Sequence, residues 1–228
     1  MRKRRYTVIA ASLAAALAFA GCSGAGMGTP GGSAEGGAEV KIVAAVLPDT
    51  GSGDSETADI FSEEYQKWYD DHSERVSRSR SVQGSIEDFY ESVIPELLSD
   101  EKNTVVSPVN IYMALSMLAE VTAGDTQAEI LSLLNAKDTD QVRRRADIIF
   151  RAHFCKSATM EERLANSLWM NDDISYNEET LDTLARSYHA TSASGKMGSE
   201  EMNKAIQDWI NENTDDLLSD YVSDIETD

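Results

Sequence analysis

The run from Ser107 to Gly124 constrains this chain more than any other stretch. Ser107-Pro108 opens a helix: the serine hydroxyl caps free amides, and proline sits in the first turn, where its missing N–H costs nothing. Val109 to Val121 is then mostly apolar, with Ile111, Met113, Ala114, Leu115, Met117 and Leu118. A helix apolar around most of its circumference must be covered on most of its sides. Only a body of several packed elements can do that, and Gly124 reads as the stop signal of this helix.

The flanking sequence supplies such elements. Phe61, Tyr65, Trp68 and Tyr69 give Ile60–Arg75 an amphipathic helical pattern, and Ser77–Ser81 reads as a hinge. Ser85 is a plausible cap for a second helix whose stripe is Ile86, Phe89, Tyr90, Val93, Ile94, Leu97 and Leu98, with Pro95 bending or breaking its last turn. Thr126 and Glu129 form a capping-box pattern ahead of Ile130, Leu131, Leu133 and Leu134. Further helices are expected over Asp140–His153, from Asn177 through Tyr188, and over Glu200–Asn213 with Met202, Ala205, Ile206, Trp209 and Ile210 on one face. Arg163–Met170 alternates instead: Leu164, Asn166, Leu168 and Met170 on one side, Ala165, Ser167 and Trp169 on the other. Two largely apolar faces suit a strand in a sheet covered on both sides. Asn103–Val106 and the β-prone run Val40–Leu47 are shorter strand candidates, so the fold class is α+β.

Charge narrows the function. The 228 residues carry 20 Lys+Arg against 40 Asp+Glu, a net charge of −20, which excludes a nucleic-acid binder and resists anionic lipid surfaces except through an anchor. Such an anchor is expected at the front. Arg2, Lys3, Arg4 and Arg5 precede an apolar stretch, Val8–Ala20, shorter than the about 20 residues of a permanent span. It ends in Leu17-Ala18-Phe19-Ala20-Gly21-Cys22, which resembles a bacterial lipobox with Cys22 as the lipidated first residue of the mature chain. The expected organisation is a lipoprotein signal peptide over 1–21, a lipidated Cys22 with a Gly/Ser-rich flexible tether over 22–59, and a folded part over 60–228. This places the protein outside the cell, held at the outer face of a bacterial membrane.

Four motifs in order point to one family. Asn103-Thr-Val-Val-Ser-Pro-Val-Asn-Ile-Tyr-Met-Ala-Leu-Ser-Met-Leu118 resembles the stretch by which serpins enter their buried central helix. Gly124-Asp-Thr-Gln-Ala-Glu-Ile130 is similar to the Gly-x-Thr-x-x-Glu-Ile start of their next helix, and Ala165-Asn-Ser-Leu-Trp169 to an Ala-Asn-x-Leu-Trp/Phe strand. Ala205-Ile-Gln-Asp-Trp-Ile210 followed by Thr214 resembles an Ile-Asn-x-Trp-Val…Thr helix. Ala193–Met197 matches the family's next edge strand poorly, and Asp215-Asp216 stand where Asn-Gly is usual.

The resemblance implies a serpin fold, here its N-terminal helical half with part of the main sheet, and a family role as inhibitor of serine or cysteine proteases. It places Ser107, Asn110 and Asn166 near where the main sheet opens to admit the cleaved reactive loop, with the Glu200–Asn213 helix lying across that sheet. On the Ser-Pro pattern alone Ser107 is a helix cap, and Trp169 and Trp209 read as core packing. The sequence as given ends at Asp228, about halfway through the family's domain, so the reading is of a truncated form without the reactive loop that does not inhibit by that route. It also implies apolar faces and sheet edges left uncovered. The alternative is a non-inhibitory surface lipoprotein that binds or adheres through the same scaffold.

No catalytic set is assembled. His153 and Cys155 lack a second ligand pair at metal spacing, no Gly-x-Ser-x-Gly elbow or phosphate-cradling loop is present, and no cofactor is implied. The acids after Thr214 lack the spacing of a calcium loop.

Overall fold

A computed structural model describes residues 39–48, 59–99, 105–158, 160–219 and 227. Within them the order is β1 (Lys41–Val43), α1 (Glu63–Leu97), α2 (Pro108–Val121), α3 (Gly124–Leu133), α4 (Thr139–Ala152), β2 (Cys155–Lys156), β3 (Glu161–Glu162), β4 (Asn166–Asn171), α5 (Glu178–Ser187), β5 (Ala190–Gly195) and α6 (Glu200–Thr214). The signal peptide, Cys22 and most of the expected tether lie outside the described residues.

The two expected front helices are one. Ser62 caps α1, its Oγ accepting from Tyr65 N at 3.1 Å, and the helix runs unbroken for 35 residues. Ser77–Ser81 is not a hinge and Ser85 is not a cap: both lie inside α1. The serines that suggested a break turn their hydroxyls back onto the helix, Ser79 to Val76 O at 2.8 Å and Ser81 to Arg78 O at 2.6 Å, so the ladder continues. Pro95 is tolerated because it falls in the last turn, and the helix ends two residues later.

Ser107 starts α2 as expected, and Tyr112, Met113, Ser116, Met117 and Ala119 are buried along it. The helix stops at Val121, before Gly124. Its last carbonyls are met by the next turn of chain: Gln127 Nε2 donates to Ala119 O at 2.9 Å and to Thr122 O at 2.8 Å. Gly124, at φ +65°, is instead the first residue of α3, a left-handed entry that suits glycine. Thr126 and Glu129 are therefore inside α3, and no capping box forms. Val105 and Val106 are not in a strand; the rest of that candidate lies outside the described residues.

Helices α1 to α5 share one apolar core that includes Phe89, Tyr112, Met113, Leu134, Val142, Phe150, Leu184 and Tyr188. Against it stands a three-stranded sheet in the order β1-β5-β4. β4 and β5 are parallel, from Asn166↔Ala190 to Asn171↔Gly195. β1 pairs antiparallel with β5 from Lys41↔Ser194 to Val43↔Ser192. The folded part thus begins before residue 60, inside the span read as tether. Leu164, Met170 and Ala190 join the helical core, whereas Trp169 meets Trp209 of α6 edge-to-face, ring centres 6.4 Å apart. β4 thus packs on both of its faces, as the two-sided pattern of Arg163–Met170 requires.

Candidate functional site

β5 is where the sheet, α6 and the N-terminal segment meet. Its sequence, Ala-Thr-Ser-Ala-Ser-Gly, holds no large side chain, yet five of its six residues are buried. The poor family match over Ala193–Met197 conceals a central strand. Its burial comes from neighbours that approach closely. A Cβ added at Gly195 would lie 3.1 Å from Met202 Cε and 3.2 Å from Val40 Cγ2, so a side chain there requires α6 and the β1 segment to give by a few tenths of an ångström. Ser192, deep in the sheet, has a buried hydroxyl with no hydrogen-bond partner among the described residues.

β4 lies at the other side of the sheet, and no strand pairs with its outer edge among the described residues. Its first residue is fixed by a side chain: Asn166, 8% exposed, donates from Nδ2 to Tyr188 O at 2.7 Å and ties the start of β4 to the end of α5. Ser107 and Asn110 are exposed at the start of α2, where Ser107 Oγ accepts from Asn110 N at 3.4 Å. No hydrogen bond joins either of them to Asn166 among the described residues. The three residues expected at one site thus divide into a helix start and a strand start.

Two polar clusters that sequence reading missed lie beside this strand start. In the first, Tyr188 Oη donates to Glu120 Oε2 at 3.0 Å, and Arg143 donates to the same carboxylate from Nε at 2.8 Å and from a second guanidinium nitrogen. Burial, then the neighbouring Glu120 charge, pushes the Tyr188 hydroxyl far above the ordinary range. Arg143 is held up chiefly by its hydrogen bonds to Glu120. In the second, His189 sits between Val46 O and Asp147, and Arg151 donates from Nε to both Asp147 oxygens at 2.9 and 3.0 Å. Arg143, Asp147 and Arg151 recur every four residues along α4, a single charged stripe and the signal that could have found both clusters.

A cavity of about 410 Å³ lies among the segment after β1, the β2–β3 hairpin, the start of β4 and the end of α6. Lys156 and Arg163 on its wall both pair with Glu161, and His153 Nδ1 is 2.6 Å from Glu162 Oε1. Cys155 is buried there. No group of three or more His, Cys, Asp or Glu among the described residues is arranged to hold a metal ion. At the end of α6, Asp215 and Asp216 are both left-handed, at φ 52° and 58°, a backbone in which Asn and Gly are more at ease.

These elements have counterparts in known proteins. Serpin-ZX of Arabidopsis thaliana is 27% identical over 152 residues, covering 64% of this chain and 39% of that protein. "Probable non-inhibitory serpin-Z5" of the same plant is 24% identical over 156 residues, covering 64% of this chain and 36% of its own length. The structure of Arabidopsis AtSerpin1 in its native stressed conformation superposes with a TM-score of 0.51 at 26% identity, covering 63% of this chain and 38% of that one. The chain therefore spans about two fifths of the length of the relatives it matches. The family profile described as "Serpin (serine protease inhibitor)" matches residues 85–228, which takes in α2 to α6 and the parallel pair β4–β5. By this match over more than half of its length, the chain belongs to the serpin family.

Proposed function

We propose that this chain is the N-terminal part of a serpin-type inhibitor of serine or cysteine proteases, exported and held at the outer face of a bacterial membrane through a lipidated Cys22. The observation that carries the reading is the parallel β4–β5 pair, met by α6 through Trp209 and Met202, with the outer edge of β4 bearing no strand among the described residues. A serpin works by admitting its cleaved reactive loop into such a sheet, with the protease held as an acyl-enzyme. In this reading the loop belongs to the part of the family's length that the chain does not span. Asn166 acts on the sheet directly, by fixing where β4 begins, whereas Ser107 and Asn110 act by starting α2. The anchor is supported by Arg2–Arg5, the apolar stretch and the Leu17–Cys22 pattern, and no described helix is long and apolar enough to cross a membrane.

The chain extended to the family's full length should form a denaturant-resistant covalent complex with at least one member of a panel of serine and cysteine proteases. An extended form that traps none of them would overturn the inhibitory reading. Cells supplied with a labelled fatty acid should label the protein, and Cys22→Ala should remove the label; label kept in that variant would refute the anchor. A second reading, a non-inhibitory surface binding protein, is favoured by the relative named as non-inhibitory. It requires an extended form that folds cooperatively and binds a surface ligand without trapping a protease.

A further inference from the structure

His189 is the first residue after the α5 cap. It has a left-handed backbone at φ 50°, is 3% exposed, and its ring lies against Phe150 with centres 4.4 Å apart. Both ring nitrogens face oxygen: Nδ1 is 2.6 Å from Val46 O and Nε2 is 2.9 Å from Asp147 Oδ1. A carbonyl oxygen can only accept a hydrogen bond, and so can an ionised carboxylate. Burial pushes the Asp147 carboxyl up, but the hydrogen bonds from His189 and Arg151 outweigh it and leave the group below its ordinary 3.8. Asp147 is therefore an anion, and both ring nitrogens must donate. Only the imidazolium does that.

A neutral ring keeps one proton and turns a lone pair toward the other oxygen, a repulsive contact under 3 Å. The remaining proton stays with the charged acceptor, because a hydrogen bond to a carboxylate is the stronger of the two. The Val46 carbonyl is then the partner that is lost. That carbonyl matters because the N-terminal segment has few other holds among the described residues. Lys41, Ile42 and Val43 are all exposed, and beyond the three-residue ladder the segment is held by Val46 N to Ala185 O at 3.0 Å and Ala45 N to Thr191 Oγ1 at 3.4 Å. A strand so lightly attached sits at the low end of local stability.

We propose that His189 is a proton-operated latch for β1, holding Lys41–Val43 on β5 while the imidazole carries both protons and letting it go when one is lost.

Among the described residues, the charged groups around the ring come from α4, the cavity wall and the cluster behind it. α4 presents Asp147 and Arg151, and the segment 45–48 presents no titratable side chain. The cavity wall beyond carries Cys155, Lys156, Glu161, Glu162, Arg163 and Glu212, and the Tyr188–Glu120–Arg143 cluster lies behind. The other histidines of the chain are His72 and His153, so they are the controls.

The test is amide hydrogen exchange across 40–48 in the whole chain, corrected for intrinsic rates, between about pH 5.5 and 8. Protection should fall by about tenfold or more as the pH rises, the loss of one hydrogen bond to a charged donor. In His189→Gln it should be the same at both ends of the range. His72→Gln and His153→Gln should keep the wild-type profile at 40–48. Flat wild-type protection, or a pH dependence that survives in His189→Gln, would overturn the latch. The ring's own 15N resonances decide independently of any variant: two N–H signals at the acid end falling to one supports it, and a single N–H throughout refutes it.

Discussion

Tyr188→Phe removes one hydroxyl and leaves the ring, its burial and its neighbours unchanged. The hydroxyl is wholly buried and donates to Glu120, whose carboxylate is itself nearly closed off from solvent. A hydrogen bond to a charged group contributes about 1.5–3 kcal/mol. Glu120 Oε2 keeps the Arg143 Nε contact at 2.8 Å after the change, so the carboxylate is not orphaned. The cost therefore falls at the low end, about 1.5–2 kcal/mol, or roughly 3–8 °C in melting temperature for a chain of this size. Thermal or urea unfolding of the two proteins side by side measures it. In a Glu120→Gln background the same substitution should cost less, because the acceptor no longer carries charge. The pH dependence adds a second check with a definite sign. The folded hydroxyl titrates above its ordinary 10.0, so its contribution is complete below that value and is lost as the pH rises past it, where the unfolded chain ionises first. The gap in stability between the wild type and the Tyr188→Phe variant should accordingly close in alkali. A variant that melts with the wild type at neutral pH would refute this account of how α2, α4 and the end of α5 are joined.

The front of α1 should answer acid in the opposite sense to β1. Burial, then the Arg75 charge, lowers the titration of His72 below 6.5, so its contribution is present above that value and is lost as the pH falls below it. Amide exchange over 63–80 should speed up on acidification in the wild type and not in His72→Gln; uniform protection from neutral pH down would contradict the assignment. Ser192→Ala should be neutral or raise stability by up to about 1 kcal/mol, since the buried hydroxyl loses solvation without gaining a partner. A marked loss in its urea midpoint would reveal a bond that this hydroxyl makes.

The helices were legible where one face carries the signal. Asn177, with its side chain accepting from Glu179 N at 2.9 Å, and Ser107 are the caps the sequence implies, and Arg163–Met170 yields a strand because its own residues alternate. β5 was not legible, because Ala, Ser and Gly carry no pattern of their own; what makes the strand is Met202 and Val40 closing on Gly195. The supposed hinge in α1 failed for a related reason. Serine is read as a breaker, but once its hydroxyl bonds back three residues it leaves the helix intact. Of the candidate site, Asn166 was placed correctly on β4, but its partner is a carbonyl twenty-two positions later, a distance no local pattern reports. The Tyr188 and His189 clusters depend on α4 meeting the end of α5, which only the assembled body reveals.

The two flanks of the sheet are unequal. On one side a strand of three residues, all of them exposed, shields the margin of β5; on the other β4 offers six residues in parallel register. So short a border has little to offer an incoming chain, whereas the longer one has a full row of donors and acceptors. Among the described residues, a strand added to this sheet therefore finds its longer pairing partner at β4.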